Sequence, residues 1–189
     1  FLNLPFGGGF TVCSMLPIVL AAYRNGTKWG LLTGFVYAVV QMLLGFKTVS
    51  AFFMPGSDSY MVLWKAVCVC LIDYIIAYTV LGLGGIFRNK IKNPSVSLCV
   101  GSIFALSLRY IAHIISGFIF FGTWADWFFS QDGFTLGAKI LEKFSGQGLA
   151  FLYSVIYNGL YMIPEIIITA IVALIIGRVP QISGRKNTK

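Results

Sequence analysis

Acidic side chains are scarce in this sequence, and histidine occurs once. Six Asp and Glu stand against 14 Lys and Arg, and charged residues of both signs make up only 11% of the 189 positions. A soluble domain carries about a quarter. The single histidine excludes an H-E-x-x-H zinc site, and neither a G-x-x-x-x-G-K-[ST] phosphate loop nor a G-x-S-x-G elbow occurs. "GFKT", Gly45–Thr48, lacks the first glycine and the GK pair of such a loop. With no assembled nucleophile and base, the chain reads as a non-enzyme that calls for no cofactor or metal and cannot itself hydrolyse ATP. Cysteine is also sparse, at Cys13, Cys68, Cys70 and Cys99. Cys68 and Cys70 project roughly 200° apart on a helix and cannot share a metal, so the cysteines read as small packing residues.

What is abundant is apolar: 58% hydrophobic residues and a mean hydropathy of +0.85. These residues gather in segments over approximately 10–23, 29–46, 61–87, 95–121 and 149–177, and most reach the roughly 20 residues a helix needs to cross a bilayer. The expected class is an all-α integral membrane protein forming a single membrane domain over 1–189. The first segment is short for a crossing and follows an irregular glycine-rich entry, "LPFGGGF". Connectors "RNGTK" (Arg24–Lys28) and "RNKIK" (Arg88–Lys92) and the tail from Arg178 carry Lys and Arg without an acid. The connectors over 47–60 and 122–148 contain Asp58, Asp126, Asp132 and Glu142 beside Lys47, Lys139 and Lys143. Basic loops stay cytoplasmic. That rule places the C-terminus inside and residue 1 outside, which predicts another crossing upstream: a six-helix bundle whose first helix is largely missing from this numbering. The net charge of +8 is thereby explained as topology, with no nucleic-acid partner.

Within 122–148, "TLGAKILEKF" (Thr135–Phe144) spaces Leu136, Ile140, Leu141 and Phe144 for a short surface helix over 135–144. Trp124, Trp127, Phe128 and Phe129 suit an interfacial aromatic belt. Gly26, Gly30 and Gly34, and separately "GLGG" (Gly82–Gly85), allow close helix approach, within this chain or against a partner.

Polar groups at membrane depth are few, and each is a candidate site residue. Asp73 lies midway along the third segment, Arg109 and His113 share one face of the fourth, and Ser154, Asn158, Tyr161 and Glu165 form a stripe on the last, bordered by Tyr153, Tyr157 and Pro164. A common cavity is the economical place for them. One carboxylate, one imidazole, one carboxamide and several tyrosines suit an aromatic, hydrogen-bonding, cationic guest. Alternatives stay open: Arg109 could neutralise Asp73 or Glu165, His113 could be a satisfied interior group, and Asn158 could simply join helices. Lys65 reads as a snorkelling interfacial cation.

The stretch Gly7–Gly45, followed by "LIDYIIAYTVLGLGGIF", "RYIAHIISGFIFF" and "LYSVIYNGLYMIPE", resembles the thiamine-specific S component of energy-coupling factor (ECF) transporters, the ThiT/YuaJ family. The resemblance implies a six-helix bundle in the cell membrane that captures thiamine from outside and joins a coupling transmembrane protein and two ATPase subunits. It places the ligand-binding pattern on Asp73 and Tyr74, on Arg109, Tyr110 and His113, and on Tyr153 and Asn158. The stacking aromatic falls on Phe121 or Trp124, and the glycine-rich entry with Phe10 forms part of a gate. Rival readings are the same fold carrying another vitamin, such as riboflavin, or a stand-alone transporter using Asp73 and His113 as a proton relay.

Overall fold

The computed structural model of the chain describes residues 12–132 and 134–180. Phe10 and the glycine-rich entry lie outside them. Every regular element described is a helix: α1 (Leu16–Asn25), α2 (Thr27–Leu44), α3 (Phe46–Ala51), α4 (Leu63–Phe87), α5 (Pro94–Phe120), α6 (Ala125–Phe129), α7 (Gly137–Lys143) and α8 (Gly146–Ile176). Among them α2, α4, α5 and α8 are long and apolar enough to cross a membrane. The distribution of side chains says which solvent they meet. Leu32, Phe35, Val36 and Val39 on α2, Ile111, Ile115 and Ile119 on α5, and Ile163, Ile167 and Ile171 on α8 all face outward. The interior instead holds Ser97, Ser102, Arg109, Ser116, Ser154, Asn158, Glu165 and Thr169. Water would penalise that exposed apolar belt, whereas hydrocarbon does not. The chain is an all-α, multi-pass membrane bundle.

Local chemistry sets the helix ends. Asn93 caps α5, its Oδ1 accepting from the backbone N–H of Ser95 at 3.0 Å and Val96 at 3.3 Å, with Pro94 in the first turn. α1 begins at Leu16, with Pro17 in its first turn, later than its apolar run suggests. α3 and α6 are short helices inside stretches that read as connectors. In α7 the partly buried Ile140 and Leu141 pack on the core, while Leu136 and Phe144 stay exposed.

Gly30, Gly34, Gly82, Gly84 and Gly85 sit at close contacts within the chain, whereas Gly26 does not. A Cβ on Gly30 would sit 2.2 Å from the Cβ of Ala22, and one on Gly82 would sit 2.2 Å from the Leu31 nitrogen. Backbone therefore meets backbone where α1, α2 and α4 cross, which only glycine permits. Gly26 joins α1 to α2 at φ +99° and ψ 160°, a region open essentially to glycine alone.

α4 is not uniform. It is α-helical over Leu63–Val69, π-helical over Cys70–Ile76, α-helical again over Ala77–Thr79 and 3₁₀ over Val80–Phe87. Both departures fall where packing or chemistry needs them: the wide turns surround Asp73, and the tight ones carry the close-packed glycines. Insertions of this π type gather at functional sites.

Candidate functional site

A cavity of about 260 Å³ lies among α2, α4, α5 and α8, closed on one side by Ser14 and Met15 ahead of α1. α4 contributes Val69, Asp73, Tyr74 and Tyr78 to its wall. Their spacing of 4, 1 and 4 repeats more slowly than an α-helix, as the π-helical turns require. That widening brings the neighbours Asp73 and Tyr74 to the same wall.

Asp73 is held by α5. Its Oδ1 lies 2.8 Å from His113 Nδ1, and its Oδ2 accepts the Ser116 hydroxyl at 2.6 Å. An ionised carboxylate offers about four lone-pair sites, so half its accepting capacity remains for a guest. The carboxylate fixes the imidazole tautomer: assigning the proton to Nδ1 from this network leaves Nε2 as an acceptor. His113 Nε2 is buried and has no hydrogen-bond partner among the described residues.

Arg109 lies one helical turn from His113 and is 8% exposed. Its guanidinium stacks over the Tyr78 ring, Cζ 4.7 Å from the centroid, with Nη2 3.5 Å from the hydroxyl. Among the described residues it is within ion-pair range of neither Asp73 nor Glu165. The contact continues through aromatic edges: Tyr78 and Tyr37 lie 5.2 Å apart, and the Gln41 amide donates to the Tyr37 hydroxyl at 2.6 Å. Arg109 Nε, also buried, has no hydrogen-bond partner among the described residues.

Asn158 does two things at once. Its Nδ2 donates to the Ser154 carbonyl at 2.8 Å and the His113 carbonyl at 3.2 Å, joining α8 to α5, while its Oδ1 accepts from Tyr161 at 2.5 Å. It also lines the cavity with Tyr153, Tyr157 and Tyr161. The α6 region roofs these tyrosines, with the Phe128 ring 5.4 Å from Tyr153 and 5.8 Å from Tyr157.

Of the nine residues singled out in the sequence, Asp73, Tyr74, Arg109, His113, Phe121, Tyr153 and Asn158 share this wall, whereas Tyr110 and Trp124 do not. One residue on from Arg109, Tyr110 points about 100° round the helix. There its hydroxyl donates to the Val155 carbonyl at 2.7 Å, as a tie between α5 and α8. Trp124 packs edge-on against Trp127 with centroids 6.1 Å apart. Of the two aromatic candidates Phe121 faces the cavity, with Phe52 beside it at 6.3 Å. Lys65 lies over the Trp64 ring at 5.7 Å.

The sequence reading missed Tyr37, Gln41, Tyr78 and Ser116. Gln41 was findable as the only carboxamide in the apolar run of α2, with Tyr37 one turn before it. Tyr78 was not, because its register depends on the π-helical turns. Among the described residues no three His, Cys, Asp or Glu side chains gather to hold a metal ion.

Residues 1–130 match the sequence model of the family described as thiamine transporter protein (Thia_YuaJ). The thiamine transporter ThiT of Bacillus subtilis (strain 168) is 32% identical over 181 residues, an alignment covering 91% of this chain and 76% of that protein.

Proposed function

This chain belongs to the thiamine transporter family, and from that premise we propose that it is a substrate-capture subunit of an ECF-type importer, a single membrane domain that takes thiamine from outside the cell. The observation that carries the reading is Asp73: a half-satisfied carboxylate on the wall of an aromatic cavity. The flat aminopyrimidine has N–H donors for the free lone pairs of Asp73 and for His113 Nε2. The thiazolium carries a permanent positive charge, for which tyrosine and phenylalanine faces are a fitting wall. Phe121 is the stacking ring in this reading, with Tyr74, Tyr153 and Asn158 completing the ligand contacts. Tyr110 and Trp124 act outside the first layer of contacts.

Orientation follows from charge. The cavity draws on the parts of α2, α4, α5 and α8 next to the acid-containing connectors, away from Arg24–Lys28 and Arg88–Lys92. With the basic loops and the C-terminus cytoplasmic, it opens outward. The chain lacks a phosphate loop, so the energy for release comes from partners: a coupling transmembrane protein and two ATPases.

Calorimetry on the purified chain with thiamine, riboflavin and a free aminopyrimidine tests the ligand. Tight binding of thiamine alone is expected, and preference for riboflavin would replace thiamine in the reading. Vesicle uptake tests the partners. Uptake is expected only with the coupling protein, both ATPases and ATP; uptake driven by a pH gradient in their absence would establish the proton-coupled alternative.

A further inference from the structure

Asp73 and Arg109 line the same cavity, yet among the described residues they make no ion pair. Opposite charges in a low-dielectric interior attract well beyond contact distance, so their separation needs a cause. Distance alone does not supply it. Asp73 bonds to His113, and Arg109 stands one helical turn from His113 on the same face of α5. A turn is about 5.4 Å, a gap that the long, flexible arginine side chain can span.

Tyr78 is what holds the guanidinium elsewhere. Its ring lies 4.7 Å from Arg109 Cζ, and its hydroxyl accepts from Nη2 at 3.5 Å. A buried aromatic face is a favourable resting place for a guanidinium, which is planar and weakly hydrated. The ring in turn has little freedom. Tyr37 meets it edge-on at 5.2 Å, and the Gln41 amide anchors the Tyr37 hydroxyl at 2.6 Å. The backbone of Tyr78 is also pressed onto α2: a Cβ on Gly34 would sit 2.4 Å from the Tyr78 carbonyl oxygen. Thus α2 sets the ring, and the ring sets the cation.

We propose that Tyr78 is a positioning residue: its ring keeps the Arg109 guanidinium off Asp73, so that the carboxylate stays open to the ligand. Asp73 already holds the His113 ring and the Ser116 hydroxyl. A guanidinium forked onto it would take the remaining lone pairs, leaving none for the aminopyrimidine. This rests on the thiamine reading and adds to it. Asp73 supplies the contact, and Tyr78 keeps that contact available.

The test titrates thiamine by calorimetry into the purified full chain and into variants of it. Tyr78→Leu removes the aromatic face and releases Arg109 onto Asp73, so affinity is expected to fall about tenfold or more. Tyr78→Phe keeps the face and is expected to stay within about threefold of wild type. Tyr78→Leu/Arg109→Met also removes the released cation and is expected to regain at least about threefold over Tyr78→Leu. A packing role for Tyr78 predicts no regain, since the second substitution only takes away a further side chain. A double variant as weak as Tyr78→Leu, or weaker, would overturn the proposal. So would unchanged affinity in Tyr78→Leu, or an equal loss in Tyr78→Phe. An experimental structure of the wild-type chain without thiamine gives a readout that does not depend on a variant folding. The guanidinium is expected over Tyr78, and a direct Arg109–Asp73 pair would overturn the proposal. A wild-type chain that binds no thiamine removes both readings. One that binds thiamine, while Arg109→Met relieves nothing in Tyr78→Leu, removes only this one.

Discussion

Asp73 and His113, 40 residues apart in sequence, meet with Oδ1 and Nδ1 2.8 Å apart across the interface of α4 and α5. The contact orients both partners toward one space: the carboxylate keeps lone pairs free, and the imidazole presents its second nitrogen. Asp73→Asn keeps the size but removes the charge, and one half of the amide cannot accept. A hydrogen bond to a charged group is worth about 1.5–3 kcal/mol, so thiamine affinity is expected to fall at least about tenfold in Asp73→Asn and in His113→Ala. Calorimetry on variants with wild-type elution profiles checks this. Unchanged affinity in Asp73→Asn would remove the carboxylate from the site.

Tyr110 and Trp124 separate proximity in sequence from contact. Tyr110→Phe deletes the hydroxyl that donates to the Val155 carbonyl. The expected result is a loss of about 1 kcal/mol in stability, seen as a lower melting temperature, with little change in affinity. Trp124→Ala is expected to leave affinity within about threefold. Phe121→Ala, which strips an aromatic face from the wall, is expected to weaken binding by about tenfold, from a contact of about 0.5–2 kcal/mol.

How far the sequence could be read differs between fold and site. Hydropathy was enough for a multi-pass helical bundle, because lipid makes every long helix apolar and outward-facing. Asp73, His113 and Asn158 were legible as candidates, and line one cavity, because ionisable and amide groups at membrane depth are too costly to be incidental. Tyr78 escaped because its place on the wall depends on the π-helical widening of α4, which no periodicity announces. Tyr110 shows the opposite case. It sits inside a recognisable pattern, but an ordinary α-helical step turns it toward α8. Among the described residues Arg109 is within ion-pair range of neither acid and stacks on Tyr78 instead, a cation–π contact that residue spacing does not reveal.

The glycine contacts predict stability effects with two separate causes. Gly82→Ala places a methyl 2.2 Å from the Leu31 nitrogen, so α2 and α4 must move apart, at a cost of about 1–3 kcal/mol. Gly26→Ala meets nothing within 4 Å but must adopt φ +99°, again about 1–3 kcal/mol. Thermal unfolding in detergent checks both. Only the first is expected to alter thiamine affinity as well, because α4 carries Asp73.

Ser116 tests whether the carboxylate is oriented as well as placed. Its hydroxyl holds Asp73 Oδ2 at 2.6 Å. Ser116→Ala frees that oxygen and is expected to cost about 0.5–1.5 kcal/mol of thiamine binding through lost positioning, less than loss of Asp73 itself. Calorimetry on Ser116→Ala and the Asp73→Asn/Ser116→Ala pair checks this. If the two losses simply add, the hydroxyl does not act through Asp73.

The central claim is that a single chamber between α4, α5 and α8 holds a flat, positively charged nutrient. An experimental structure of the chain with thiamine tests it most directly. The account predicts ligand density in the cavity, with the aminopyrimidine hydrogen-bonded to Asp73 and the thiazolium against tyrosine and phenylalanine faces beside Phe121. Thiamine bound elsewhere on the chain, with this space filled by the protein's own side chains, would contradict it.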